Sequence, residues 1–292
     1  VRFLTESGAE WGAVVDDMIC QLSRGPFEVL DTGRSLARLE DVDLLAPAQP
    51  SKIVCVGRNY AAHAAEHGAD VPAEPLLFLK PPSSVIAPGA EIVLPDLSSR
   101  VEHECELALI IGRRCRHVST ENAWSNVFGI TCGNDVTARD LQRSDSQWTR
   151  GKGFDTFCPL GPWVVTDLGE HEVGELQVRC MVNGEERQSA STAQMVFSPS
   201  FLISYITQVM TLEPGDVVMT GTPSGVGPLH SGRRSGAGRP AHELGCVKNI
   251  GARTSDFPPN PGSAPDLREK TRVVDPKFEA SITRLSTVLE AL

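Results

Sequence analysis

The stretch Val101-Glu102-His103-Glu104-Cys105-Glu106-Leu107-Ala108-Leu109-Ile110-Ile111-Gly112 decides the reading of this chain, together with the acidic island Gly133-Asn134-Asp135-Val136-Thr137-Ala138-Arg139-Asp140. The apolar half reads as a buried strand, and side chains two apart on a strand share a face. Glu104 and Glu106 therefore point the same way. Two carboxylates side by side repel unless a proton or cation lies between them, and an all-oxygen set suits a hard divalent ion such as magnesium. Asp135 would complete the set. The alternative is that the two glutamates are solvated charges at a strand mouth, and that Asp135 caps a short helix over Thr137 to Gln142.

The flanking stretches add chemistry. Lys52 to Val56 reads as a strand ending at Gly57, and Arg58 to Gly68 as a short Ala-rich helix with a glycine stop. His63 and Glu66 share a face of that helix, as a carboxylate-held imidazole or a surface pair. Pro75 to Pro82 is a strand that delivers Lys80, either to an anionic ligand or out to solvent. Ser119 to Phe128 suggests a short helix, and Gly129 to Cys132 a strand ending at Asn134 and Asp135. Lys152 stands between two glycines, with freedom to reach a ligand or to move with its loop. Leu176 to Val182, Asn183-Gly184 and Glu185 onward form a β-hairpin, with an expected structural or subunit-edge role. Ser198-Pro199 opens a helix running to Met210, and Asp216 to Met219 is a strand entering the Gly- and Thr-rich loop Thr220 to Gly227.

The 292 residues, with 40% hydrophobic and 22% charged, suit a soluble globular enzyme. There is no apolar run of membrane-spanning length and no signal-peptide pattern, so a cytoplasmic, membrane-free protein is expected. The net charge of −10 argues against a nucleic-acid partner. Eight cysteines without a C-x-x-C pair point to buried thiols with no disulfide. The first 50 residues read as a small prefix domain, with a strand at Val1 to Leu4 and a helix around Trp11 to Leu22.

Five ordered blocks, VGRNYAAHAAE, LFLKP, HECELALIIG, GNDVTARDLQ with GKGFDTFCPLGP, and VVMTGTPSGVG, resemble the fumarylacetoacetate hydrolase family between Lys52 and Gly227. In particular they resemble its bacterial members of acylpyruvate hydrolase and 2-hydroxyhepta-2,4-diene-1,7-dioate isomerase type. The resemblance implies a β-rich α+β fold, a rolled mixed β-sheet core behind the small N-terminal domain. It also implies Mg2+, with Mn2+ or Ca2+ as substitutes, on Glu104, Glu106 and Asp135. The catalytic residues it implies are His63, Glu66 and Lys152, with Arg58, Tyr60, Gln142 and Thr222 near a small 2-oxo acid substrate. The implied reaction is metal-dependent hydrolysis of a C–C bond in acylpyruvates through an enolate, in aromatic-compound catabolism, by a homodimer. Isomerases and decarboxylases of related 2-oxo dicarboxylates share that enolate, and an inactive member acting as a binding protein is the remaining alternative.

After Gly227 the pattern changes. Residues 229–292 hold 10 basic against 7 acidic residues, whereas the preceding part holds 17 against 30. Residues 51–228 are thus expected to form the catalytic domain and 229–292 an atypical segment, disordered from Leu229 to about Lys277. Phe278, Ile282, Leu285, Leu289 and Leu292 recur at helical steps and suggest a terminal helix over 278–292.

Overall fold

The computed structural model describes residues 1–28, 32–230 and 244–246. The chain begins with an antiparallel sheet of its own: β1 (Arg2–Thr5), β2 (Gly8–Val15), β3 (Met18–Leu22) and β4 (Thr32–Arg38), in sequence order. The helix expected around Trp11 to Leu22 is therefore a hairpin. Asp16 and Asp17 both take left-handed backbone angles, φ 49° and 64°, and make the two-residue turn that a hairpin favours. Val14, Val15 and Ile19 are β-branched and gain little from a helix.

The main sheet is mixed and rolled. Its strands are β5 (Ile53–Gly57), β6 (Leu76–Lys80), β7 (Val85–Ile86), β9 (Cys105–Ile111), β10 (Val127–Asn134), β12 (Cys158–Val165) and β15 (Val217–Met219). They lie in the order β6-β5-β15-β9-β10-β12-β7, with β15/β5 and β12/β7 parallel and the other pairs antiparallel. A three-stranded sheet of β8 (Val101–His103), β11 (Thr137–Ala138) and β16 (Gly227–Pro228) sits beside it. The Asn183-Gly184 hairpin joins β13 (Gln177–Val182) to β14 (Glu185–Ser191), as expected, and the backbone of β17 (Leu244–Cys246) pairs with β13. Among the described residues six α-helices connect these strands: α1 (Ala61–Glu66), α2 (Thr120–Ala123), α3 (Arg139–Ser144), α4 (Thr149–Lys152), α5 (Glu170–Val173) and α6 (Pro199–Val209).

All seven residues of β9 are buried, because both of its faces are covered. Leu107, Leu109 and Ile111 pack with Ile203 and Ile206 of α6 and with Val178 of β13. Ala108 and Ile110 face the other way, against Ile53, Cys55, Leu160 and Met219. By the two-residue period, Glu106 and Glu104 continue the second face past its apolar end. A third cluster of Ile92, Val101, Val136, Ala138, Phe157 and Leu229 closes the floor beneath β8 and β11. The α6 start follows the sequence expectation: Ser198 Oγ accepts from Phe201 N–H and Pro199 occupies the first turn. Among the described residues seven cysteines are free thiols, and no helix is long and apolar enough to cross a membrane.

The disorder expected from Leu229 to Lys277 and the helix expected over 278–292 lie outside the described residues, apart from Leu229, His230 and the backbone of 244–246. Leu229 is buried, and its N–H donates to Val101 O at 2.8 Å.

Candidate metal centre

The chain leaves one sheet and enters another at Glu104, between β8 and β9. Asn134 Oδ1 accepts from Glu104 N–H at 2.9 Å, and Glu104 O accepts from Asp135 N–H at 2.8 Å. That exchange locks the end of β10 against the break and brings three carboxylates together. Glu104, Glu106 and Asp135 are 4%, 1% and 1% exposed, with carboxylate oxygens within 4.8 Å of one another. The capping alternative for Asp135 is not realised: α3 starts at Arg139 with no side-chain cap. Asp135 is instead held by two lysines. Lys80 Nζ donates to Oδ1 at 2.8 Å and Lys152 Nζ to Oδ2 at 2.5 Å.

The electrostatics of the group follow from who touches whom. Lys152 Nζ also donates to Glu104 Oε2 at 2.8 Å, while Arg139 bridges Glu104 and Glu102. Burial raises the Glu104 carboxyl, but Lys152 and Arg139 outweigh it and hold the group well below the usual carboxylate range. Burial lowers Lys152, yet Asp135 and Glu104 more than restore its proton. Glu106 has no such help. It accepts from Gly221 N–H at 2.7 Å, and burial together with Asp135 and Glu104 pushes its carboxyl well up. Lys80 and Lys152 pair with Asp135, Lys152 and Arg139 with Glu104, and Arg139 and Arg100 with Glu102, so of these four buried carboxylates Glu106 is the one with no ion pair. An all-oxygen set with one carboxylate left without an ion pair fits a hard divalent ion; Glu104, Glu106 and Asp135 would hold it.

A cleft of about 220 Å³ opens over this centre. His63, Arg58, Gln142, Lys152 and Thr222 line it beside the three carboxylates, so it gathers residues from distant stretches of chain. Tyr60 does not line it: it is 1% exposed, immediately ahead of α1. His63 is buried, with Nδ1 3.5 Å from Glu66 Oε2. Burial lowers its pKa, only partly offset by Glu104, so the imidazole is neutral at pH 7. Glu66 in turn accepts from Gly225 N–H at 3.2 Å, linking α1 to the loop after β15. Arg58 stands in the left-handed region at φ 60°. Gln142 Oε1 accepts from Arg139 at 2.5 Å. Thr222 donates to Cys105 O at 2.8 Å and accepts from Gln188 Nε2 at 2.8 Å, so its hydroxyl pins the loop to β9.

Several residues that shape the site carried no such role in the sequence reading. Arg139 lies within the quoted acidic island, but nothing local marks it as the partner of Glu102 and Glu104. Of the two expectations for Lys80, solvent is not realised: its strand, stopped by two prolines, delivers the buried ammonium to Asp135. Gln188, on the hairpin assigned a structural or edge role, takes His103 Nδ1 and Cys105 N–H at 3.0 Å each and donates to Thr222 and to Pro223 O. Its partners are far away in sequence, and no short-range pattern signals them. Trp148 walls the cleft against Phe78, with ring centroids 5.2 Å apart. Gly57 makes room for it: a Cβ there would meet Trp148 at 2.9 Å.

The family described as "Fumarylacetoacetate (FAA) hydrolase C-terminal" matches residues 52–262, and the one described as "Rv2993c-like, N-terminal" matches residues 1–47. The first match runs past Gly227, where the sequence resemblance was seen to end. Protein Rv2993c of Mycobacterium tuberculosis is 52% identical over 201 residues, 69% of this chain and 76% of that protein. Human oxaloacetate tautomerase FAHD2A, mitochondrial, is 47% identical over 190 residues, 64% of this chain and 60% of that protein. The crystal structure of 2-hydroxyhepta-2,4-diene-1,7-dioate isomerase from Mycobacterium marinum is similar with a TM-score of 0.72 and 40% identity, covering 84% of this chain and 94% of that one. The blocks that form the acidic centre, the cleft and the rolled sheet are thus those of a known group of proteins, and this chain belongs to the fumarylacetoacetate hydrolase family.

Proposed function

We propose that the chain is a Mg2+-dependent enzyme that moves a proton at C3 of a small 2-oxo dicarboxylic acid, interconverting its keto, enol or double-bond isomers. Mn2+ or Ca2+ would serve as substitute ions, and the working form would be a homodimer. The observation that carries this reading is the buried His63, set beside Glu66 and facing the same cleft as the three carboxylates and Lys152. The names of relatives point the same way, since they include a tautomerase and an isomerase of such acids.

When bound, a divalent ion on Glu104, Glu106 and Asp135 would supply Lewis acidity toward the carboxylate and keto oxygens of a 2-oxo acid. The chain's residues divide the remaining work. His63 takes the proton from C3 and returns one, as an imidazole that is uncharged at pH 7 and therefore able to accept. Glu66, tied to Gly225, keeps the ring in place. Lys152 stays protonated and adds positive charge where the substrate oxygen becomes negative. Arg58 at the cleft wall suits the second carboxylate. The volume of the cleft admits a small acid, since pockets for drug-sized ligands start at about 300 Å³.

A second reading is the one the sequence resemblance implies, hydrolysis of an acylpyruvate. The Glu66–His63 pair favours it, because a carboxylate-oriented imidazole can take a proton from water. That water would attack the distal carbonyl, the C3–C4 bond would break, and its electron pair would be protonated at C3, releasing pyruvate and a carboxylic acid. One experiment separates the readings. Purified chain and Mg2+ are given enol oxaloacetate and, separately, an acylpyruvate, with enol absorbance and products followed together. Fast enol loss with the four-carbon acid intact supports proton transfer, and equimolar pyruvate from the acylpyruvate supports hydrolysis. No turnover in either, from a folded protein whose melting point Mg2+ plus oxalate still raises, would reject both and leave a binding protein.

A further inference from the structure

The sequence His63-Ala64-Ala65-Glu66-His67 places two imidazoles four residues apart, one helical turn, with a carboxylate beside them. In the structure the two rings meet edge to face, with centroids 4.7 Å apart and planes at 82°. Candidate ligand atoms of His63, Glu66 and His67 all lie within 4.8 Å of one another. Two of the ring nitrogens are unusual. His63 Nδ1 and His67 Nε2 are both shut off from solvent and make no hydrogen bond. Buried polar nitrogens are almost always paired; His63 Nδ1 has Glu66 Oε2 at 3.5 Å but no hydrogen bond, and His67 Nε2 has none either, so neither nitrogen is fully satisfied by the side chains around it.

The donor set says what partner would suit them. Two nitrogens and one oxygen suit a borderline-soft divalent ion, with Zn–N near 2.0–2.1 Å and one further position open to the cleft. The oxygen-only centre at Glu104, Glu106 and Asp135 suits a hard ion instead. The Glu66 side chain is 34% exposed, with His63 Nδ1 at 3.5 Å and the Gly225 N–H at 3.2 Å as its contacts, so a small rotation would close the set.

We propose that His63, Glu66 and His67 form a second metal site, for a divalent transition ion of the zinc class, at the mouth of the cleft and separate from the carboxylate centre. An ion there occupies a lone pair of His63. Occupancy would therefore stop the proton transfer, and zinc would act as an inhibitor of the magnesium enzyme. The site stands on its own geometry; the inhibition rests on His63 being the base.

The test uses the full chain saturated with Mg2+ and titrated with Co2+, a visible stand-in for Zn2+. The expected result is one equivalent of Co2+ with visible ligand-field absorption, displaced by Zn2+. His67→Ala and, as a second variant at a more exposed position, Glu66→Gln should each weaken that uptake about tenfold or more, while Glu106→Gln leaves it in place. Uptake that vanishes once Mg2+ is saturating, that is unchanged in both variants, or that carries the intense band of a thiolate ligand would overturn the site. Turnover of a 2-oxo acid measured in parallel keeps the two ideas apart. Co2+ bound as expected with no turnover in zinc-free protein rejects the proposed function and keeps the site. Turnover that Zn2+ does not suppress, with no nitrogen-ligated Co2+, rejects the site and keeps the function.

Discussion

Glu106 is the residue on which the charge balance turns. With its carboxyl raised by burial and by Asp135 and Glu104, the native state holds that proton more tightly than the unfolded chain. Its contribution is then fully favourable below the unfolded value and is lost as pH rises toward the folded one, by about 1.4 kcal/mol for each unit of difference. Glu104 and Glu102, both lowered, act in the opposite sense and lose their stabilisation only as pH falls. Metal-free protein should therefore lose stability as pH rises above the ordinary carboxylate range, and Glu106→Gln should flatten that slope while abolishing most of the melting-point rise produced by Mg2+. A slope unchanged in the variant would show that Glu106 is not the titrating group. Lys152 gives a complementary case. Removing one partner of a buried ion pair costs about 3–5 kcal/mol, so Lys152→Met should lower metal-free stability in denaturant. Added Mg2+ should recover more stability in that variant than in the parent, because the ion then meets two carboxylates with one cation fewer.

The site is assembled by strand ends and one loop. The switch of sheets at Glu104 and the fully buried β9 set where the carboxylates stand, and Leu109→Ala in that strand should cost about 2–5 kcal/mol by denaturant unfolding. The loop after β15 aims the Gly221 N–H at Glu106. Gly221 has φ 100°, and a Cβ on it would meet the Asn59 Cβ at 2.7 Å. Gly221→Ala should displace that amide and weaken Mg2+ binding about tenfold, which calorimetric titration would measure; unchanged affinity would mean the amide contact is dispensable. Elements also mark what a sequence can tell. The two-residue period made Glu104 and Glu106 legible as a pair, and Asn183-Gly184 made the hairpin legible. The sheet switch at Glu104 was not, because an apolar run carries no sign of where its hydrogen-bond partner changes. Trp11 to Leu22 misled for a related reason: a short stretch with few charges fits either period, and the deciding feature was two aspartates in a tight turn.

For the whole molecule, distance along the chain separates what was readable from what was not. The acidic triad and the His63–Glu66 pair lie within short motifs whose chemistry is local. The motif around Lys152 marks it as a site residue, but its pairing with Glu104, like the pairings of Lys80, Arg139 and the brace Gln188, joins different strands and helices, and only the folded sheet brings these groups within 3.0 Å of their partners. The central claim joins both groups: three carboxylates take a divalent ion, and the neighbouring His63 moves a proton on a 2-oxo acid. The most direct measurement is the rate at which enol oxaloacetate loses its absorbance with the parent chain, His63→Ala and Glu106→Gln, each with Mg2+ and after chelation. The account predicts a rate well above buffer for the parent with Mg2+, lost on chelation and in both variants, with His63→Ala still showing the melting-point rise from Mg2+. Acceleration that survives chelation, or full activity in His63→Ala, would contradict it.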